Sequence, residues 1–229
     1  MNQSRRSPLR ALRWLAVALA VVATAPLFAP SLLAVPHKEQ VGAHVVRSVE
    51  PITPAVLAAI AEADRRVAAS PIGRDRASDQ SIFLTGGGWR WLWLAGNAQG
   101  AMAVTRPFND TIVLNRTDHA TALVHNSAAI GGQRLMAGVI SHEMTHGSLR
   151  AHFGLTVDFA YPAELREGYC DYVAQESSLT DAAALALQAH GAKHPALIYW
   201  SGRKRVAEAM ARPGATVDRL FAEWKPNPS

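Results

Sequence analysis

Cysteine is almost missing from these 229 residues. Cys170 stands alone, which excludes an internal disulfide and a cysteine zinc cluster. A lone cysteine is by default an apolar neighbour on a helix, and a nucleophilic role for Cys170 is set aside. Acidic residues are missing from one region: residues 1–35 hold Arg5, Arg6, Arg10 and Arg13 and no Asp or Glu. The net charge of +5 comes from 23 basic and 18 acidic residues, and without those four arginines it falls to +1 (19 against 18). A nucleic-acid partner read from basicity fails on that count, because the charge belongs to the amino terminus. Internal repeats and long low-complexity segments are absent. Gly86-Gly87-Gly88 lacks the following Lys-Ser/Thr of a phosphate loop, so a turn is the better account. Aromatics are sparse at 7%, yet three of the six tryptophans are Trp89, Trp91 and Trp93. Their period-two spacing predicts a strand with the rings on one packed face.

What is present begins with Trp14–Val35, 22 residues without a charge. That length can span a bilayer, and the arginines before it would stay in the cytoplasm and place the rest outside. A cleaved signal has the same charged start, and Ala23-Thr24-Ala25 has the small-x-small form of a cleavage site, although Pro26 disfavours cutting there. Ser4-Arg5-Arg6-Ser7 is a weak twin-arginine pattern, with Pro8 where an aromatic would be expected. Residues 1–35 are thus read as a transmembrane anchor or a signal peptide. Residues 36–229 are enough for one domain with its own core. That domain is expected on the periplasmic side, membrane-anchored or, after cleavage, periplasmic or secreted.

The strongest motif is His142-Glu143-Met144-Thr145-His146. Residues i and i+4 of a helix share a face, so both imidazoles can reach one metal ion, and Glu143 lands beside a water on it. Leu135, Val139, His142, His146 and Leu149 form one helical stripe, which puts the histidines on the apolar side. Polar groups buried there need partners, and a metal supplies them. The helix is expected to start near residues 131–134 and to stop before Gly154 in a left-handed turn.

A third ligand has several candidates. His152 stands where HExxHxxGxxH would place a histidine, but Leu149 occupies the position that needs glycine. Asp158 follows His146 closely for a helix to end and the chain to return. Glu167 is favoured: it follows Pro162, which suits a helix start, and the interval leaves room for a second helix to cross the first. Asp171 falls one turn later and could accept the second N–H of a ligating histidine. Glu164, on the same face, is the alternative within this helix.

With its downstream Leu165-Arg166-Glu167-Gly168-Tyr169-Cys170-Asp171-Tyr172-Val173-Ala174, the HExxH segment resembles the gluzincin metallopeptidases, in particular the peptidase-MA-like group. The likeness extends more loosely over about residues 50–225. It implies His142, His146 and Glu167 as ligands of Zn²⁺, Glu143 as general base, and Asp171 behind a ligating histidine. Cys170 departs from the pattern, where a small residue such as Ala is expected.

The fold class read from the elements is α+β: a zincin-like domain with a small sheet packed on the HExxH helix and a helical C-terminal part, after one N-terminal helix. Thr53-Pro54 should cap a helix running to about Ser70. Ser81–Thr85, Ala101–Thr105 and Thr111–Asn115 read as strands, the last two joined by a turn through Pro107 and Asn109-Asp110. By analogy with zincins, Thr111–Asn115 would be the edge strand that pairs with an extended peptide. Helices are expected over Asp181–His190, Ala196–Arg212 and Thr216–Trp224, with a frayed tail after them. The function that follows is zinc-assisted hydrolysis of a peptide or protein substrate. Tyr199 is the first candidate oxyanion donor, then His194 and Arg203. The rival readings are a membrane-tethered zinc-binding module without catalysis and a metal-free structural protein with buried histidines.

Overall fold

A computed structural model describes residues 8–33, 35–73, 80–106 and 110–225. Arg5, Arg6, Pro107, Asn109 and the last four residues lie outside the described residues. The protein is α+β. Helix α1 (Pro8–Phe28) leads into a 3-10 turn at Pro30–Leu32, then strands β1 (His37–Val41) and β2 (His44–Ser48) and helix α2 (Pro54–Ala68). Strand β3 (Ser81–Leu84), helix α3 (Gly88–Ala95) and strands β4 (Ala103–Thr105) and β5 (Ile112–Leu114) follow. Three short strands come next: β6 (Arg116–Asp118), β7 (Leu123–His125) and β8 (Gln133–Leu135). Helices α4 (Met136–Phe153), α5 (Val157–Ala160), α6 (Ala163–Ala174), α7 (Asp181–Ala189), α8 (Ala196–Met210) and α9 (Val217–Glu223) complete the chain.

The larger sheet has the order β1-β2-β3-β5-β4. β2, β3 and β5 run parallel, and an antiparallel strand closes each side. Strand residues alternate between its two faces. Val46, Ile82, Leu84, Ile112, Leu114 and Ala103 face one way and join the main core with α2, α4 and α6. Phe83 and Val113 face the other way, where Trp91, Leu94 and Ala95 of α3 cover them together with Leu33 and Val35. A second, antiparallel sheet, β6-β7-β8, feeds straight into α4.

Two expectations are corrected here. Trp89, Trp91 and Trp93 are on a helix, because Gly87 and Gly88, at φ of 78° and 65°, turn the chain at its start. Trp91, Leu94 and Ala95 then form the buried side at helical spacing, while Trp89 is exposed. Period two and a short helix are indistinguishable over three tryptophans when the sheet they cover is out of view. Thr111–Asn115 is no edge: β5 lies between β3 and β4, both its sides are paired, and the edge beside α4 is β4.

Other boundaries shifted for local reasons. Helix α4 starts at Met136, since Gln133–Leu135 pairs with β7. It is buried on nearly every side, so the single apolar stripe was too narrow a description; Leu135 is outside the helix and exposed. Gly154 does end it, at φ 86° and ψ 168°, a glycine conformation other than the left-handed helical one. Thr53 caps α2 by accepting from the Val56 N–H, and Thr180 and Thr216 cap α7 and α9 likewise. One helix, Leu9–Phe28, is apolar enough to be a membrane span or a signal sequence. It stops short of Val35 because Pro30 opens the 3-10 turn and Leu33 and Val35 pack on the α3 side of the sheet.

Helices α6 and α8 meet through Gly168 and Gly202. A Cβ on Gly202 would lie 2.2 Å from the Glu164 carbonyl oxygen, and one on Gly168 would lie 2.4 Å from the Gly202 carbonyl carbon. Backbone is on both sides, so neither helix can yield by a rotamer change. Gly202→Ala is therefore expected to lower stability by about 1–3 kcal/mol, the usual cost of overpacking. Urea unfolding with an unchanged slope would measure it.

Candidate metal centre

The centre is built where α4 crosses α6. His142 and His146, one turn apart on α4, meet edge to face with ring centroids 5.1 Å apart. The Oε2 of Glu167, on α6, lies 3.2 Å from His142 Nε2 and 3.5 Å from His146 Nε2. Atoms bound at 2.0–2.1 Å to a tetrahedral zinc stand about 3.3 Å from one another. Both separations fit that figure. Imidazole nitrogen and carboxylate oxygen are also the donor types zinc takes.

Behind His142 stands a buried chain of charge. His142 Nδ1 shares a 2.7 Å hydrogen bond with Asp171 Oδ1, and Arg134 Nη2 donates to the same oxygen at 3.0 Å. Asp171 is fully buried and Arg134 nearly so. With Nδ1–H given to Asp171, a neutral His142 presents its Nε2 lone pair to the Glu167 side. Burial by itself would lower the His142 pKa, but the Asp171 and Glu167 carboxylates outweigh it and raise it to about 10. Burial opposes ionisation of the two carboxylates as well. The Arg134 charge and the His142 bond still hold Asp171 below its usual range, and the His146 charge and the His142 bond hold Glu167 well below its own.

Glu143 is buried on the same helix, and its Oε2 accepts from Thr105 Oγ1 at 2.6 Å; that hydroxyl also lies 3.0 Å from the Glu143 carbonyl oxygen. Thr105 ends β4, so the edge strand orients the acid beside the histidines. A cleft of about 670 Å³ opens there, lined by Ala103, Thr105, Glu143, His146, Glu167 and Tyr199 among others. The Tyr199 ring stacks on His142 at a centroid distance of 6.2 Å. Burial first, then the Glu167, Glu143 and Asp171 carboxylates, raise its phenol pKa, so it stays protonated as a donor. His194 also lines the cleft, whereas Arg203 does not.

The other ligand candidates are engaged elsewhere. His152 Nε2 is 2.8 Å from Asp218, and Glu164 accepts from Ser201 and Arg205. Asp158 reaches the cleft wall paired with Arg150 and Arg166. Cys170 is the surprise. Ligand atoms of His142, His146 and Cys170 lie within 4.8 Å of one another, and this buried group could hold a metal ion. Burial and the Glu167, Glu143 and Asp171 carboxylates push its thiol well above the usual range, and it does not line the cleft. Glu167 Oε2, at 3.2 and 3.5 Å from the two Nε2 atoms, lines the open cleft. Thr105 and Arg134 escaped the sequence reading: neither is at a motif spacing, and only tertiary packing brings them to Glu143 and Asp171.

The protonation states set a pH dependence. Folded, metal-free His142 keeps its proton up to about pH 10, while the unfolded chain releases it near 6.5, so this stabilisation is complete below about 6.5 and lost by about 10. Asp171 and Glu167 act in the opposite sense: their contribution is present above their ordinary values of 3.8 and 4.5 and lost as pH falls. The chelated protein is expected to be most stable at about pH 5–6.5. A metal ion bound through His142 would have to displace its proton, so the stabilising effect of added zinc is expected to grow between about pH 6.5 and 10. Thermal melts with and without chelator across that range test both trends, and a zinc effect independent of pH would count against His142 as the group displaced.

No protein-family model matches this chain, and searches of curated proteins and of solved structures find no match to it either.

Proposed function

We propose that this chain is a zinc-dependent hydrolase of peptide bonds on a zincin-like fold, with His142, His146 and Glu167 as the metal ligands. The observation that carries this reading is the approach of one Glu167 oxygen to both Nε2 atoms at 3.2 and 3.5 Å, on a helix that also aims Glu143 into the cleft. Zn²⁺ held there supplies Lewis-acid chemistry: it acidifies a water to a pKa of about 7 and polarises a carbonyl.

The chain's own residues do the rest. Asp171, anchored by Arg134, fixes the ring and tautomer of His142. Glu143, oriented by Thr105, receives the proton that water gives up as it attacks the scissile carbon, and delivers it to the leaving amine. The protonated Tyr199 phenol, or His194 beside it, donates to the oxygen that becomes negative at the tetrahedral stage. Strand β4 is the sheet edge on the cleft wall. An extended substrate strand adding to it would have its backbone alongside Glu143. The arginines before and in the first turns of the apolar helix favour an inside amino terminus and a periplasmic domain.

Substitutions separate ligand, base and bystander. His142→Ala, His146→Ala and Glu167→Ala should each abolish tight zinc binding, whereas Cys170→Ser should retain about one zinc per chain. Asp171→Asn should weaken zinc binding by roughly 10–100-fold. Glu143→Gln should keep zinc and lose casein hydrolysis. Zinc retained by Glu167→Ala and lost from Cys170→Ser would move the third ligand to the thiol. Wild type with zinc and no turnover of any peptide would favour a zinc-binding module without catalysis.

A further inference from the structure

Helix α3 presents two unlike faces. Trp91, Leu94 and Ala95 pack on Phe83 and Val113 of the sheet. On the other side Trp89 is 55% exposed and Leu92 52% exposed, and Trp93, next to Leu92, is partly exposed. Positions 89, 92 and 93 are i, i+3 and i+4, neighbours on one helix surface, and the Trp89 and Trp93 rings stand 6.0 Å apart. Two tryptophans and a leucine on little more than one turn form an apolar patch that water alone does not account for.

The occupant of that patch follows from α1. Trp93 Nε1 donates to the Ala23 carbonyl oxygen at 2.8 Å, and Leu33 and Val35, just beyond α1, pack on the same cluster as the inner face of α3. The apolar helix Leu9–Phe28 has 20 residues, with Arg10 and Arg13 in its first turns. At 1.5 Å per residue it is about 30 Å long, the thickness of the hydrocarbon core. Arginine side chains that close to the inner end reach back to the headgroups, so the helix spans with Phe28 at the outer limit of that core. Ala23, five residues earlier, is about 7.5 Å below it. Interfacial helices sink their apolar faces by about 5–10 Å, and tryptophan is enriched at that depth.

We infer that the Trp89–Leu92–Trp93 face of α3 is seated in the bilayer interface beside the outer end of α1, so that the domain lies on the lipid surface at a second point besides its anchor. Arg90, its guanidinium 4.6 Å over the Trp89 ring, is placed at the rim of the patch, where a cation meets lipid phosphates. The sheet separates this face from α2 and α4, which pack on its opposite side. The loop from α3 to β4, through Ala98 and Gly100, is part of the cleft wall, so lipid contact would hold that wall close to the membrane. Nothing in this inference depends on hydrolysis.

The test uses the full chain in proteoliposomes. A nitroxide is attached at Leu92→Cys, at Trp89→Cys as a second position, and at Arg65→Cys on the exposed side of α2 as the aqueous reference. The parent chain, with its buried Cys170, is the labelling blank. Expected is an accessibility ratio, lipid-soluble oxygen to water-soluble nickel chelate, several-fold higher at positions 92 and 89 than at 65. Equal ratios at the three positions would overturn the proposal. Strong spin–spin coupling between labels on two chains, with oxygen excluded, would assign the patch to a second copy and overturn it too. A mature chain whose intact mass shows residues before about 28 removed would also overturn it, since Ala23 would be gone.

Discussion

Asp171 and His142 share a 2.7 Å hydrogen bond in a place almost closed to water, with the Arg134 guanidinium on the same carboxylate oxygen. Two helices and a strand are tied at that point: α4 through His142, α6 through Asp171 and β8 through Arg134. A charge buried alone would cost several kcal/mol, so each member needs the others in place. Once Asp171 is fixed, α6 can turn Glu167 toward the α4 histidines one helical turn away. The contact of Gly168 with Gly202 then lets α8 come close enough to lay Tyr199 against His142. The geometry of the cleft thus rests on an ionic chain that none of its own residues could sustain separately.

This dependence also explains how much of the centre was legible in the sequence. His142, Glu143 and His146 are one helical turn, and Glu167 and Asp171 another, so local spacing captured both halves. The crossing of the two helices followed from the interval between them and from Pro162. Thr53, Thr180 and Thr216 marked three helix starts because a cap is chemistry of adjacent residues. Information carried within four residues reads directly.

What requires two distant segments did not read. β1 and β2, and the strands from Arg116 to Leu135, are three to five residues long and have little alternation of their own; pairing makes them strands. Trp89, Trp91 and Trp93 fit a strand until Phe83 and Val113 define what lies beneath them. Leu135 fitted the helix stripe until β7 claimed it. Cys170 fitted an apolar neighbour, which its burial in the main core supports, yet its sulfur also lies near both histidines. Arg134 and Thr105 have no signature at all, since an arginine before a helix and a threonine ending a strand are ordinary.

The sheet is five strands wide, and β3, β4 and β5 are only three or four residues long, so each face has few side chains with which to recruit cover. On the cleft side, the strands present Ile82, Leu84, Ile112 and Leu114 to three long helices, and the two histidines stand between that core and the cleft. The opposite face offers chiefly Phe83 and Val113, enough to hold one eight-residue helix and the segment leaving α1. A helix that short is marginal by itself, and its stability has to come from what it touches on both sides. Trp91 and Leu94 provide the inner contact. If the outer contact were water, Trp89 and Leu92 would gain nothing from being apolar; lipid gives them a reason to be, and adds to the stability of the layer that carries the loop into β4.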